Sequence, residues 1–151
     1  YLEIHMNVKP IYLEILRKIQ FKFMKDNRLF LFPRQLKEVE VGNREYKINL
    51  DYSDKSPFIQ TNILNKKATQ MNFRLIEGGG KAIYFIGLND NGESIGINLK
   101  KLLVSLFFFT KIVYLSEGKF SKIRIYRGNK GYLSTIRVSK KFENSQFLLE
   151  I

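Results

Sequence analysis

The sequence predicts an α+β fold: a single domain with a mixed sheet and helices packed on it, plus an N-terminal helix and an extended C-terminal tail. Three observations predict it. Apolar residues recur at helical spacing in three stretches, and apolar and polar residues alternate at strand spacing in others. Glycine- and asparagine-rich turns separate the stretches, and helices and strands interleave without a repeat. The 151 residues are 44% hydrophobic and lack cysteine, so one domain can build a core without disulfides, as suits a reducing, cytoplasmic location. The expected division is a helical extension over 1–37, the α+β domain over 38–141 and a tail over 142–151.

The elements follow in order. Residues 11–25 place Ile11, Ile15, Ile19 and Phe23 on one stripe after Pro10, which predicts a basic amphipathic helix suited to packing or RNA contact. Residues 45–52 alternate, with Tyr46, Ile48 and Leu50 on one face and Glu45, Lys47 and Asn49 on the other, which predicts a strand. Ser56 and Pro57 are a cap and first-turn pair for a helix over 57–76, whose inner stripe is Leu64, Ala68, Met71 and Leu75. Gly78–Gly80 stops it. Ala82–Leu88 reads as a buried strand, Asp90–Asn91–Gly92 as a hairpin turn and Ser94–Ile97 as a short return strand. Asn98 caps a helix over 99–115 with Leu99, Leu102, Leu103, Leu106 and Val113 inward, closed by Gly118. Strands over 119–127 and 132–140 flank a turn at Gly128–Gly131.

The net charge is +12, and residues 119–141 contribute eight basic residues and no acidic one. So concentrated an excess points to a polyanion-binding face, with RNA the first candidate. Along 119–127, Lys122, Arg124 and Tyr126 share a face opposite Ile123 and Ile125. The predicted RNA-binding set is Lys119, Lys122, Arg124, Tyr126, Arg127, Lys130, Arg137, Lys140 and Lys141. Lysine and arginine neutralise phosphates and tyrosine stacks on bases or ribose, a combination suited to structured RNA read by shape. The tail is too short for its own core, so Phe147, Leu148 and Leu149 are expected to contact a protein partner.

Other chemistries are poorly supplied. His5 is the one histidine, which leaves no imidazole-rich metal site or histidine triad. The triglycine precedes a strand and continues as Lys81–Ala82, unlike a phosphate-binding loop, which opens a helix. Asn89–Glu93 lacks the ligand spacing of a calcium loop. No cofactor, nucleotide or resident metal is expected. The longest apolar run, Leu102–Phe109, is far short of a membrane span, and no secretory signal is expected from a start carrying Glu3 and Glu14. One alternative remains: Glu40, Glu45 and Asp90, at strand ends, as carboxylates holding a divalent metal for phosphodiester cleavage.

Two resemblances bear on function. Residues 42–50, GNREYKINL, and 68–97, ATQMNFRLIEGGGKAIYFIGLNDNGESIGI, resemble the N-terminal domain of the GTP-binding protein 1 and 2 group, relatives of translation elongation factors. The similarity spans roughly residues 38–140 and stops before that family's GTPase domain, so it implies a translation-linked accessory domain without GTP hydrolysis. The composition resembles, further, the microsporidian dormancy factors built on this domain. That resemblance implies a non-enzymatic ribosome-hibernation role: binding ribosomal RNA and ribosomal proteins of both subunits, inhibiting translation by blocking a tRNA site, the exit site first. The second resemblance is to the Schlafen RNA-cleaving core, in which Glu40, Glu45 and Lys47 match the pattern Glu-x4-Glu-x-Lys, while Asn89 stands where an aspartate would be. It implies a metal-dependent ribonuclease acting on tRNA or rRNA.

Overall fold

A computed structural model describes Arg17 and residues 31–141. Apart from Arg17, the expected helix over 11–25 lies outside the described residues, as does the tail over 142–151 with Phe147, Leu148 and Leu149.

Strand β1 covers Arg44–Lys47 and helix α1 Pro57–Glu77. Strand β2 (Lys81–Ile86), helix α2 (Leu99–Leu115), strand β3 (Gly118–Arg127) and strand β4 (Tyr132–Lys140) follow. The strands form one sheet in the order β1-β2-β4-β3. The β1–β2 pair is parallel, joined through α1, and the other two pairs are antiparallel. The sheet is therefore mixed and the class α+β.

Both helices begin at the predicted caps. Ser56 Oγ accepts from Ile59 N at 3.4 Å, and Asn98 Oδ1 accepts from Lys101 N at 2.8 Å. The α1 stripe Leu64, Ala68, Met71 and Leu75 is buried as expected, and so is Arg74. Helix α2 buries Leu102, Leu106, Phe107–Phe109, Ile112 and Val113. These meet Ala82, Tyr84, Ile86, Ile125, Ile136 and Val138 from one face of the sheet, forming the main core. Within the apolar run of α2, buried Ser105 has a stated job: its Oγ accepts from Leu50 N at 3.0 Å. A smaller cluster of Tyr46, Phe85 and Leu88 forms elsewhere, with Phe32 and Ile83 packed against it.

Three expectations change. Ser94–Ile97 is not a return strand. Gly92 and Gly96 take positive φ of 84° and 83°, which bends the segment out of a pleat, and only Ile97 bridges Tyr132. Its carbonyls instead bind the β3–β4 turn, with Asn129 N donating to Ser94 O and Lys130 N to Ile95 O at 2.8 and 2.7 Å. The first strand ends at Lys47, so Ile48 is exposed and Leu50 joins the main core while Tyr46 joins the smaller cluster. Gly118 does not close α2: Ser116 caps it, Glu117 takes φ 56°, and Gly118 opens β3. A Cβ on Gly118 would stand 3.1 Å from Val138 Cγ1.

Candidate nucleic-acid interface

Strand alternation decides which face each basic residue occupies. Ala82, Tyr84, Ile125, Ile136 and Val138 point to the helices, so their strand neighbours Lys81, Ile83, Arg124, Arg137 and Ser139 point to the other, outer face. On β3 the register shifts between Phe120 and Lys122. That bulge places both Lys119 and Lys122 outward while Phe120 and Ile123 pack on the core.

The register then lines the basic residues in rows across the sheet. One row runs Lys81, Ser139, Lys119. The next runs Arg44, Ile83, Arg137, Lys122, and the third Tyr46, Phe85, Thr135, Arg124. Lys81, Lys119, Lys122, Arg124, Arg137 and Arg44 are exposed. Among the described residues, no outward strand position carries a carboxylate. Neighbouring strands lie about 4.8 Å apart, and alternate residues about 6.6 Å along a strand, so these cations are spaced at the scale of a nucleic-acid backbone.

The predicted set therefore divides. Lys119, Lys122, Arg124 and Arg137 share the outer face. Tyr126 shares it too, but it is half-buried with its ring 4.8 Å from that of Phe32. Phe85 and Tyr46 lie in the same aromatic group, so the described outer face offers charge more than open stacking surface. By alternation Arg127 and Lys140 fall toward the helix side, and Lys130 and Lys141 lie at the ends of the hairpin. Sequence reasoning missed Lys81 and Arg44, which reach this face from strands outside the hairpin. Arg44 is partly engaged, with Nη2 donating to Gln35 Oε1 at 2.9 Å and its guanidinium 4.8 Å over the Phe85 ring.

The carboxylates behave differently from the expectation. Glu45, placed by hydrophobic alternation on the solvent side of its strand, is 1% exposed and faces α1. Its Oε1 accepts from Arg74 Nε at 2.8 Å, and its Oε2 lies 3.0 Å from Lys47 Nζ. Arg74 also donates to Gly42 O at 3.0 Å and Val39 O at 3.1 Å, tying the 39–42 segment to the helix. The polar face turned inward because a buried arginine met it, while Phe32 packed against the apolar side. Glu40 and Asp90 are both exposed. Glu38 lies within electrostatic range of Glu45 and Asp90. Burial pushes its carboxyl above the usual carboxylate value, opposed by the hydrogen bond from Tyr46 N, with Glu45 reinforcing the rise. Among the described residues, no three acidic, histidine or cysteine side chains gather to hold a metal ion.

Fold and surface together define a class: a small α+β domain with helices on one sheet face and, among the described residues, basic side chains and no carboxylate at the outward strand positions of the other. Sequence comparison adds a relationship. A stretch of 69 residues is 39% identical to GTP-binding protein 2 of Mus musculus, and the same holds for GTP-binding protein 2 of Homo sapiens. The match covers 46% of this chain and 10% of each relative, so the chain aligns with about a tenth of their length. No family model matches the chain. Among the described residues, no helix is long and apolar enough to cross a membrane.

Proposed function

We propose that this chain is a ribosome-associated dormancy factor: a non-enzymatic domain that binds ribosomal RNA through its outer sheet face and blocks a tRNA site, the exit site first. The observation that carries the reading is the set of exposed cations Lys81, Lys119, Lys122 and Arg124 on one sheet face, where no outward strand position carries a carboxylate among the described residues. Such a face suits phosphates presented by structured RNA, read by position rather than by base identity. The partial similarity to GTP-binding protein 2 is in keeping with the resemblance that implies a translation-linked accessory domain, and the proposed role itself needs neither GTP nor a metal. The partner proteins are those lining the site, on both subunits, in the cytoplasm.

Co-sedimentation with ribosomes over a salt series tests it. Association is expected to weaken steeply with salt, through counterion release, and to vanish when Lys122 and Arg124 are reversed to glutamate. Unchanged co-sedimentation of that folded variant would overturn the reading. The ribonuclease alternative has less support, because Glu45 would have to release both Arg74 and Lys47 to take a metal. Manganese-dependent cleavage of tRNA, lost in Glu45→Gln, would favour it instead.

A further inference from the structure

A cavity of about 200 Å³ opens beside β1, at the edge of the basic face. One wall is the 35–39 segment, held in place where Gln35 N donates to Gly92 O and Glu38 N to Asp90 O, both at 2.8 Å. The other wall is Arg44 and Tyr46 of β1, and the Tyr46 hydroxyl donates across to Leu36 O at 2.8 Å. Leu36 and Val39, both exposed, make much of the lining apolar. Its polar side chains are mostly engaged: Gln35 Oε1 accepts from Arg44 Nη2, and Gln35 Nε2 donates to Pro33 O. The half-buried Glu38 carboxylate is the exception. Its Oε2 accepts from Tyr46 N, and among the described residues no basic side chain pairs with it. A carboxylate accepts at about four lone-pair sites, so acceptor capacity remains on this residue of the lining. Burial disfavours its charge, and donors from a ligand would offset that cost.

What fits is a flat, neutral group with apolar faces and a donor edge. A cationic ligand would meet like charge, because Arg44 and Lys37 line the cavity too. Arg44 also begins the row that runs through Ile83 and Arg137 to Lys122, so RNA held on the outer face reaches the cavity at the β1 edge. We propose that the cavity takes one unpaired guanine base of an RNA bound to the outer face, with Glu38 accepting from its Watson–Crick edge. The inference rests on the RNA-binding reading for its partner. Among the four bases, only guanine sets two donors, N1–H and the N2 amine, side by side. Adenine and cytosine place an acceptor beside their amine, and uracil flanks its one donor with two acceptors. Each of these would turn a lone pair toward an acceptor-only carboxylate. The volume admits a single base and no paired one, so the guanine must be splayed out of its stack, as unpaired RNA allows.

Fluorescence anisotropy with the full chain and a short single-stranded RNA tests it. One guanine in a uridine tract is compared with inosine, which lacks the N2 amine, and with adenine at the same position. The inosine and adenine RNAs are expected to bind about tenfold more weakly. That preference is expected to vanish in Glu38→Gln, whose amide oxygen still offers Tyr46 N an acceptor, and to persist in Glu40→Gln, an exposed neighbour outside the lining. Cooperative thermal unfolding of Glu38→Gln establishes that the variant is folded. Lys122→Glu/Arg124→Glu should weaken all three RNAs alike and leave their ratio unchanged. A second arm removes the RNA backbone: free guanosine, against inosine, is followed by the NMR shifts of the Val39 and Tyr46 amides. Equal affinity for the three RNAs, still lost in Lys122→Glu/Arg124→Glu, overturns the guanine site and leaves the outer face standing. If no RNA binds, guanosine-specific shifts that disappear in Glu38→Gln sustain the guanine site, and only the outer face fails. A guanine preference kept in Glu38→Gln, or neither RNA nor guanosine bound, shows that the proposal is wrong.

Discussion

Arg74 holds more of this domain than its single charge suggests. It is 4% exposed, and its guanidinium joins α1 to β1 through Glu45 and to the preceding segment through the carbonyls of Val39 and Gly42. Removing it leaves a buried carboxylate with Lys47 as its remaining ion-pair partner. Arg74→Met is therefore expected to cost about 3–5 kcal/mol in urea unfolding. It should also speed hydrogen exchange at residues 39–45, and a loss below about 1 kcal/mol would show that the clasp contributes little. Lys67 makes a prediction about pH. Burial, then the charge of Lys47, lowers its pKa, so the folded state binds fewer protons there than the unfolded state. Stability should thus rise with pH from the lowered folded pKa up to the ordinary lysine value, and be flat at its lower level below that window, where the amine is charged in both states. In Lys67→Met the alkaline rise should shrink, measured as urea midpoints in a buffer free of phosphate. An unchanged profile would count against a disfavoured charge at this position.

At the scale of elements, the β3–β4 hairpin was legible almost to the residue, because period-two alternation and a glycine turn are local signals. The face it shares with other strands was not. Lys81 belongs to the outer face because β2 pairs with β4, a register set by long-range packing. This gives a contrast that local sequence cannot supply. Lys81→Glu should weaken binding to duplex RNA about as much as Lys119→Glu, whereas Lys140→Glu, on the helix side, should weaken it less. Each outer-face cation removed should flatten the salt slope by about one unit, read by anisotropy between 50 and 200 mM salt, values taken from the usual working range. Equal loss from all three reversals would indicate a diffuse charge effect. The helices obey local rules more fully: Ser56, Pro57 and Asn98 stand at their starts as the sequence pattern requires.

Over the whole molecule, β2 and β4 are the central strands, each paired on both sides and covered by the two helices, while β1 is a four-residue edge. The slowest-exchanging amides should accordingly lie in β2 and β4, with those of β1 opening sooner, and exchange measured by mass spectrometry or NMR checks the order. Fast exchange in β4 would contradict this account of the core. The sequence alone determined the class, the bounds of both helices within a residue, the turn at Gly128–Gly131 and the concentration of charge in 119–141, since these follow from local periodicity, capping and composition. It misplaced the inner face of β1, because alternation cannot tell a solvated polar face from one met by a buried arginine. It also read Ser94–Ile97 as a strand, because the pairing partner of that segment is the distant turn after β3 and not its neighbour β2. Tertiary structure alone decided which cations share a surface and that Glu45 meets Arg74. Register and helix docking bring together residues far apart in the chain, and no window along the sequence contains both partners.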